Sequence, residues 1–257
     1  MPLHIEKVSH SYGDVEALSG IELDIADGET VALIGPSGCG KSTLLGIVGG
    51  LLEPTAGRVT FSGSMPSDSL NPFTYIFQDF ALLPWRSVAA NVALAIEHHP
   101  LSRTERRARV TDALARTGLT EFAHALPKQL SGGMRQRVGI ARALVVNPAV
   151  LLMDEPLSAL DAQTRELLME DFEAIWAREH TTGAYVTHNL EEALRMADRV
   201  MILRRRPGRI REIVPVPIPR TERRQPAAQR DLDRLHGELW SHIRQEAQLA
   251  DREMTDG

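Results

Sequence analysis

Gly35-Pro36-Ser37-Gly38-Cys39-Gly40-Lys41-Ser42-Thr43 follows the apolar run Thr30–Ile34 and leads into helical periodicity that begins at Lys41. Glycine, four residues, glycine, lysine and a hydroxyl residue, set between a strand and a helix, make a phosphate-binding loop. Glycines let successive backbone N–H groups turn inward around phosphate oxygens, and the helix N-terminus adds positive potential. The nine residues Gly35 to Thr43 are therefore expected to bind a nucleotide, with Lys41 reaching its β- and γ-phosphates and Ser42 holding Mg²⁺.

A second run, Ala149-Val-Leu-Leu-Met-Asp154-Glu155, reads as a buried strand ending in two carboxylates. In nucleotide hydrolysis one acid serves the metal and a neighbouring group orients the attacking water. Asp154 is expected to serve Mg²⁺ and Glu155 the water. Together the two motifs specify a nucleotide-binding α/β protein, with a kinase, a GTPase and a motor all open.

Periodicity orders the rest of the chain. Strands are expected near Leu3–Ser11, Ile21–Ile25, Thr30–Ile34, Arg58–Phe61, Thr74–Phe77, Val150–Met153, Ala184–Thr187, Val200–Leu203 and Arg209–Val214. Helical stripes begin at Lys41, follow Leu130 (Met134, Val138, Ala141, Val145) and cover Ala162–Arg178. Alternating strands and helices imply an α/β core with a parallel sheet, and the early strands suit a separate antiparallel layer. From about Phe80 to Gln129 strand signals vanish and two helices are expected, Ser87–Glu97 and Ser102–Thr117, as a helical insert in the core. Val214-Pro-Val-Pro-Ile-Pro-Arg220 cannot sit inside a sheet and predicts an extended edge or linker. Beyond it Leu232, Leu235, Leu239 and Ile243 stripe a terminal amphipathic helix.

Composition narrows the function classes. The 257 residues are 43% hydrophobic and 25% charged, which suits a globular domain with a full core. A net charge of -5 gives no basic balance toward nucleic acid. The single cysteine, Cys39, admits no intrachain disulfide and fits a reducing compartment. Its place in the loop predicts that a bulky thiol reagent inactivates the protein and that bound nucleotide protects it. No stretch approaches the ~18 apolar residues of a membrane span, and the charged N-terminal stretch is no signal peptide.

Leu130-Ser-Gly-Gly-Met-Arg-Gln-Arg137 separates the open alternatives. A serine hydroxyl, two glycines and a helix N-terminus form a second anion-binding surface, and one chain does not need two for one triphosphate. The segment resembles the LSGGQ mark of the ABC ATPase family, with Met134 at the glutamine position. The resemblance spans roughly Leu3 to Val214. It implies a P-loop NTPase (RecA-like) core within residues 1–220, an inserted helical subdomain at about 80–140, and a helical extension at 221–257. It implies ATP and Mg²⁺ as ligands and a head-to-tail pair of chains, in which Ser131, Gly132 and Gly133 of one cover the ATP of the other. By the same resemblance Tyr12 stacks on adenine, Gln78 contacts Mg²⁺ and senses a membrane partner, Ser158–Asp161 is the loop crossing between the two ATP sites, and His188 contacts the γ-phosphate. Lys41, Glu155 and His188 are the implied catalytic residues.

Two further segments resemble the nitrate, sulfonate and taurine importers of that family. Gln78-Asp-Phe-Ala-Leu-Leu-Pro-Trp-Arg-Ser-Val carries LLPW, where Phe80, Leu82, Leu83 and Trp85 suit either core or a docking groove for the membrane subunit. Arg204-Arg-Arg-Pro-Gly-Arg-Ile210 is, as chemistry, a basic hairpin turn in water. The resemblance thus implies an importer ATPase on the cytoplasmic face of a membrane. Its expected partners are transmembrane permease subunits, a second copy of itself and, indirectly, a periplasmic or extracellular substrate-binding protein. The cargo is expected to be nitrate, an aliphatic sulfonate or taurine. Import of a thiamine precursor, export, and a soluble ABC ATPase of DNA repair or translation are the competing readings.

Overall fold

The computed structural model describes residues 1–158, 161–176 and 181–255. In chain order its elements are β1 (Leu3–Tyr12), β2 (Val15–Ile25), β3 (Thr30–Ile34), α1 (Lys41–Val48), β4 (Ala56–Phe61), β5 (Phe73–Ile76), α2 (Val88–Ala93), α3 (Arg103–Arg116), α4 (Gly132–Leu144), β6 (Val150–Asp154), α5 (Ala162–Trp176), β7 (Thr182–Val186), α6 (Leu190–Met196), β8 (Arg199–Leu203), β9 (Ile210–Pro215) and α7 (Pro226–Thr255). Each expected strand and helix is present. One difference has a local cause. β2 starts at Val15 rather than Ile21, because Gly20, at φ 61°, sits within a bulged β1–β2 pairing instead of ending the strand. The expected end of α5 at Arg178 lies outside the described residues.

The chain forms two compact units, Met1–Gly63 with Met153–Glu155 and Thr182–Gly257, and Ser64–Leu152 with Pro156–Thr181. In the first, β2, β1 and β4 form the expected antiparallel layer, with Leu3 opposite both Ile25 and Phe61. Its other sheet centres on β3, which pairs in parallel with β7 and with β8; β9 adds an antiparallel edge to β8. All five residues of β3 are buried, as an unbroken apolar strand covered on both faces must be. One face carries Ala32, Ile34, Val200 and Ile202 against Ala193 of α6 and Leu232, Leu235 and Leu239 of α7. The terminal helix is thus a layer of the core, and Arg211 ties it down through Glu246 at 2.7 Å.

The second unit holds α2, α3, α4, α5 and β5. Val92 and Ile96, Val110 and Leu114 of α3, and Val138 and Val145 pack into one cluster. Ser102 and Glu105 close a reciprocal capping box at the start of α3, the bond pattern that the spacing Ser-x-x-Glu allows. Asn91, wholly buried, accepts from the Leu83 N–H at 2.8 Å and donates to the Leu83, Arg86 and Ser87 carbonyls. Those bonds fix the turn at Pro84–Arg86 that holds Trp85 73% exposed. Its neighbours divide differently. The Phe80 ring lies against Gly139 of α4, and Leu82 packs onto the helical cluster.

Candidate functional site

The loop after β3 runs close against its neighbours, and two glycines make that approach sterically possible. A Cβ on Gly40, at φ 95°, would sit 2.5 Å from Leu18 Cδ2; one on Gly35 would sit 2.7 Å from the Leu203 carbonyl oxygen. The loop is therefore wedged between β2 and β8 by its own backbone. Lys41, 8% exposed, turns its ammonium back into the loop and donates to the Gly35 carbonyl at 2.9 Å and the Pro36 carbonyl at 3.2 Å. Cys39 departs from expectation. Its side chain is fully buried with Sγ 3.8 Å from Lys41 Nζ, and burial pushes the thiol above its ordinary range. A native thiol so placed is shielded from bulky reagents, so Cys39 offers the loop its backbone rather than a reactive sulfur.

Three expected chemical residues converge beside the loop. Ser42 Oγ donates to Asp154 Oδ1 at 3.1 Å. Burial raises the Asp154 carboxyl, the Ser42 bond opposes that, and the adjacent Glu155 charge adds to the rise. Glu155 ends the strand with φ 47°, a left-handed conformation costly for a residue with a Cβ, and its N–H is held by the Val186 carbonyl at 3.0 Å. Its Oε2 lies 3.3 Å from His188 Nδ1. The residues flanking His188 belong to a buried network in which the Tyr185 and Thr187 hydroxyls both donate to Glu192, while Thr187 accepts from the Asn189 N–H. Sequence reading left Glu192 unmarked; its only signal was an acid in the first turn of a short helix capped by Asn189.

A pocket of about 460 Å³ opens over the loop and Glu155, lined by Ser37, Gly38, Gly40, Lys41, Ser42, Thr43 and Glu155. Tyr12 stands at its wall, 52% exposed, with its hydroxyl 3.3 Å from Thr43 Oγ1. The ring meets His10 edge to face, with centroids 4.6 Å apart, and its remaining exposed surface suits stacking. Val15, Ala17 and Arg206 also line the pocket and were not expected there. The Arg204–Ile210 turn corrects the reading of it as a turn in water, since Gly208 is buried and bonded to β2 on both sides.

The remaining expected residues belong to the second unit. Ser131 caps α4, its Oγ accepting from the Met134 N–H at 3.2 Å, and Gly133 is buried against Leu168. Ser131 is itself exposed and Gly132 half-buried at this helix start. Gln78 is exposed just past β5. Asp161 accepts from the Thr164 N–H, which holds its carboxyl below the ordinary range; Ala159 and Leu160 of the expected crossing loop lie outside the described residues.

Comparison with known proteins agrees with this geometry. Residues 18–158 match the family described as ABC transporter. The chain is 46% identical over 196 residues to a taurine import ATP-binding protein of Rhizobium johnstonii, covering 76% of this chain and 75% of that one. It is 41% identical over 230 residues to a nitrate import ATP-binding protein of Synechococcus elongatus, covering 87% and 84%. Among solved structures it resembles a dimeric ATP-binding cassette in a post-hydrolysis state bound to ADP and Pi, with a TM-score of 0.68 and 34% identity over 83% of this chain and 98% of that chain.

Proposed function

The chain belongs to the ABC transporter family, and on that premise we propose that it is the ATP-binding and ATP-hydrolysing subunit that powers an importer for a small anionic nutrient, namely nitrate, an aliphatic sulfonate or taurine. The observation that carries this reading is the convergence, in one unit, of the Lys41 loop, Ser42 and Glu155 on one pocket, with Asp154 bonded to Ser42 and His188 beside Glu155. Relatives named for taurine and nitrate import support the choice of cargo class.

In this reading Tyr12 stacks on the adenine, and the N–H groups of Gly38 to Thr43 cradle the phosphates. Lys41 exchanges its loop carbonyls for β- and γ-phosphate oxygens. Ser42 and Asp154 present hard oxygen atoms side by side, a donor set that fits Mg²⁺. Bound there, the ion would neutralise charge on the transferred phosphoryl group. Glu155 accepts a hydrogen bond from the attacking water and orients it, while His188 contacts the γ-phosphate from beside it. Ser131, Gly132 and Gly133 cover the ATP of a second copy, Asp161 faces the crossing between the two sites, and ATP binding draws the pair together.

Trp85 docks the transmembrane permease subunits; a large, exposed aromatic held by the Asn91 bonds is a preorganised anchor. No helix among the described residues is long and apolar enough to cross a membrane. In this reading the subunit works on its permeases from the cytoplasmic face, and a substrate-binding protein on the other side selects the cargo. The test is ATP-driven uptake into vesicles carrying the chain with its permeases. Accumulation of nitrate, a sulfonate or taurine is expected; accumulation of a thiamine precursor alone contradicts the assigned cargo.

The raised Asp154 carboxyl gives a separate expectation. The native protein holds that proton more tightly than the unfolded chain, so nucleotide-free stability falls as pH rises from the ordinary aspartate range through the raised value. Asp154→Asn removes the penalty. The variant is expected to melt above the parent at neutral pH without nucleotide, while Mg²⁺-dependent hydrolysis is lost. Thermal melts across pH check the first part and phosphate release the second.

A further inference from the structure

Arg206 stands on the turn between β8 and β9, remote in sequence from the phosphate loop, yet it lines the same pocket as Lys41, Ser42 and Glu155. The turn is seated by its backbone. The Gly208 N–H donates to the Ala17 carbonyl at 2.9 Å, the Ser19 N–H donates to the Gly208 carbonyl at 3.0 Å, and the Arg204 N–H closes the hairpin on Arg209. A Cβ on Gly208 would lie 2.1 Å from the Cys39 carbonyl oxygen, so the turn rests on the phosphate loop itself and only glycine permits that contact. Arg206 then leans over the loop, with Nε donating to the Gly38 carbonyl at 3.4 Å. That is its one hydrogen bond among the described residues, and the side chain is otherwise exposed.

Holding one loop carbonyl through a long bond leaves most of a guanidinium's five donors unused. Beside them lie the inward-facing loop and Lys41, where a nucleotide's phosphates would concentrate negative charge. Among the described residues, the side-chain cations lining this pocket are Lys41 and Arg206. We propose that Arg206 is a nucleotide-binding residue whose guanidinium donates to phosphate oxygens of the bound nucleotide, with Gly208 holding the turn close enough for that reach. This rests on reading the pocket as the nucleotide site. It makes the basic hairpin turn part of the site's wall, and it explains why a buried glycine stands directly after the residue pair Arg206–Pro207.

ADP binding to the full chain, measured by calorimetry at low and high ionic strength, tests the proposal without turnover. Arg206→Gln is expected to weaken ADP about tenfold at low salt, the scale of one charge-assisted hydrogen bond at an exposed site. The loss should shrink at high salt, because an exposed charge is screened. Arg206→Lys, which keeps the charge without the planar fork, is expected to fall between parent and Gln. An affinity for Arg206→Gln within twofold of the parent overturns the proposal. So does a loss that is equal at both salts and not recovered by Lys, since that is the mark of a role confined to shaping the loop through Gly38. Lys41→Ala separates this from the underlying reading. If Lys41→Ala binds ADP like the parent, the site itself is misassigned; if it loses ADP while Arg206→Gln does not, the Arg206 inference alone falls.

Discussion

Glu155→Gln is expected to stop ATP hydrolysis almost entirely while ATP still binds, and to accumulate an ATP-bound pair of chains. The amide keeps the size, the reach and a hydrogen-bond acceptor but loses the carboxylate's charge and basicity, so it no longer activates water by drawing off its proton. Losing a general base of this kind costs about 10²–10⁴-fold in rate. The fold should tolerate the change. The backbone at position 155 is held through its N–H to Val186, which the substitution leaves in place, and His188 Nδ1 still finds an oxygen acceptor. Phosphate release measures the first effect, and size-exclusion chromatography with ATP and with ADP measures the second. Hydrolysis at the parent rate would remove Glu155 from its assigned role.

Lys41→Ala is expected to act one step earlier, at binding. In the structure its ammonium is buried and bonded to the Gly35 and Pro36 carbonyls. A nucleotide that takes over those donors gains two charge-assisted bonds in a sheltered site, so truncation should weaken ATP by roughly 10²–10³-fold. Hydrolysis is lost with it. The cost to the fold is about 1–3 kcal/mol, because the truncation leaves two loop carbonyls without their donor. Calorimetry and thermal melts separate the two effects. A variant that binds ATP like the parent would contradict the assigned grip on the phosphates.

The contrast between these variants shows which parts of the site sequence could reveal. The phosphate loop, the Asp154–Glu155 pair and the cap at Ser131 are local: each function lies in a few consecutive residues and the element that follows them. The same holds for β3, whose burial follows from an unbroken apolar run, and for α7, whose stripe predicts the face it buries. Long-range placement was illegible. Arg206 reads as a solvated charge until the β8–β9 hairpin is laid on β2, and that contact depends on Gly208 meeting backbone from two other segments. Phe80 and Trp85 look alike in sequence, and only the packing at Gly139 and the bonds of Asn91 send one inward and the other out. Glu192 was hidden for a different reason. An acid in a first helical turn is the ordinary choice near a helix N-terminus, so its buried bonds to Tyr185 and Thr187 leave no trace in the pattern.

The central claim is that two chains complete each other's ATP sites, the Lys41 loop of one meeting the Ser131 segment of the other. Mixing two inactive variants tests it most directly. In a head-to-tail pair of one Lys41→Ala chain and one Ser131→Arg chain, both lesions fall in the same site and the other site is intact. ATPase activity is therefore expected to reappear on mixing, up to about half the parent level if the two sites turn over independently. A mixture no more active than either variant alone, under conditions where the parent chains pair with ATP, would contradict the account.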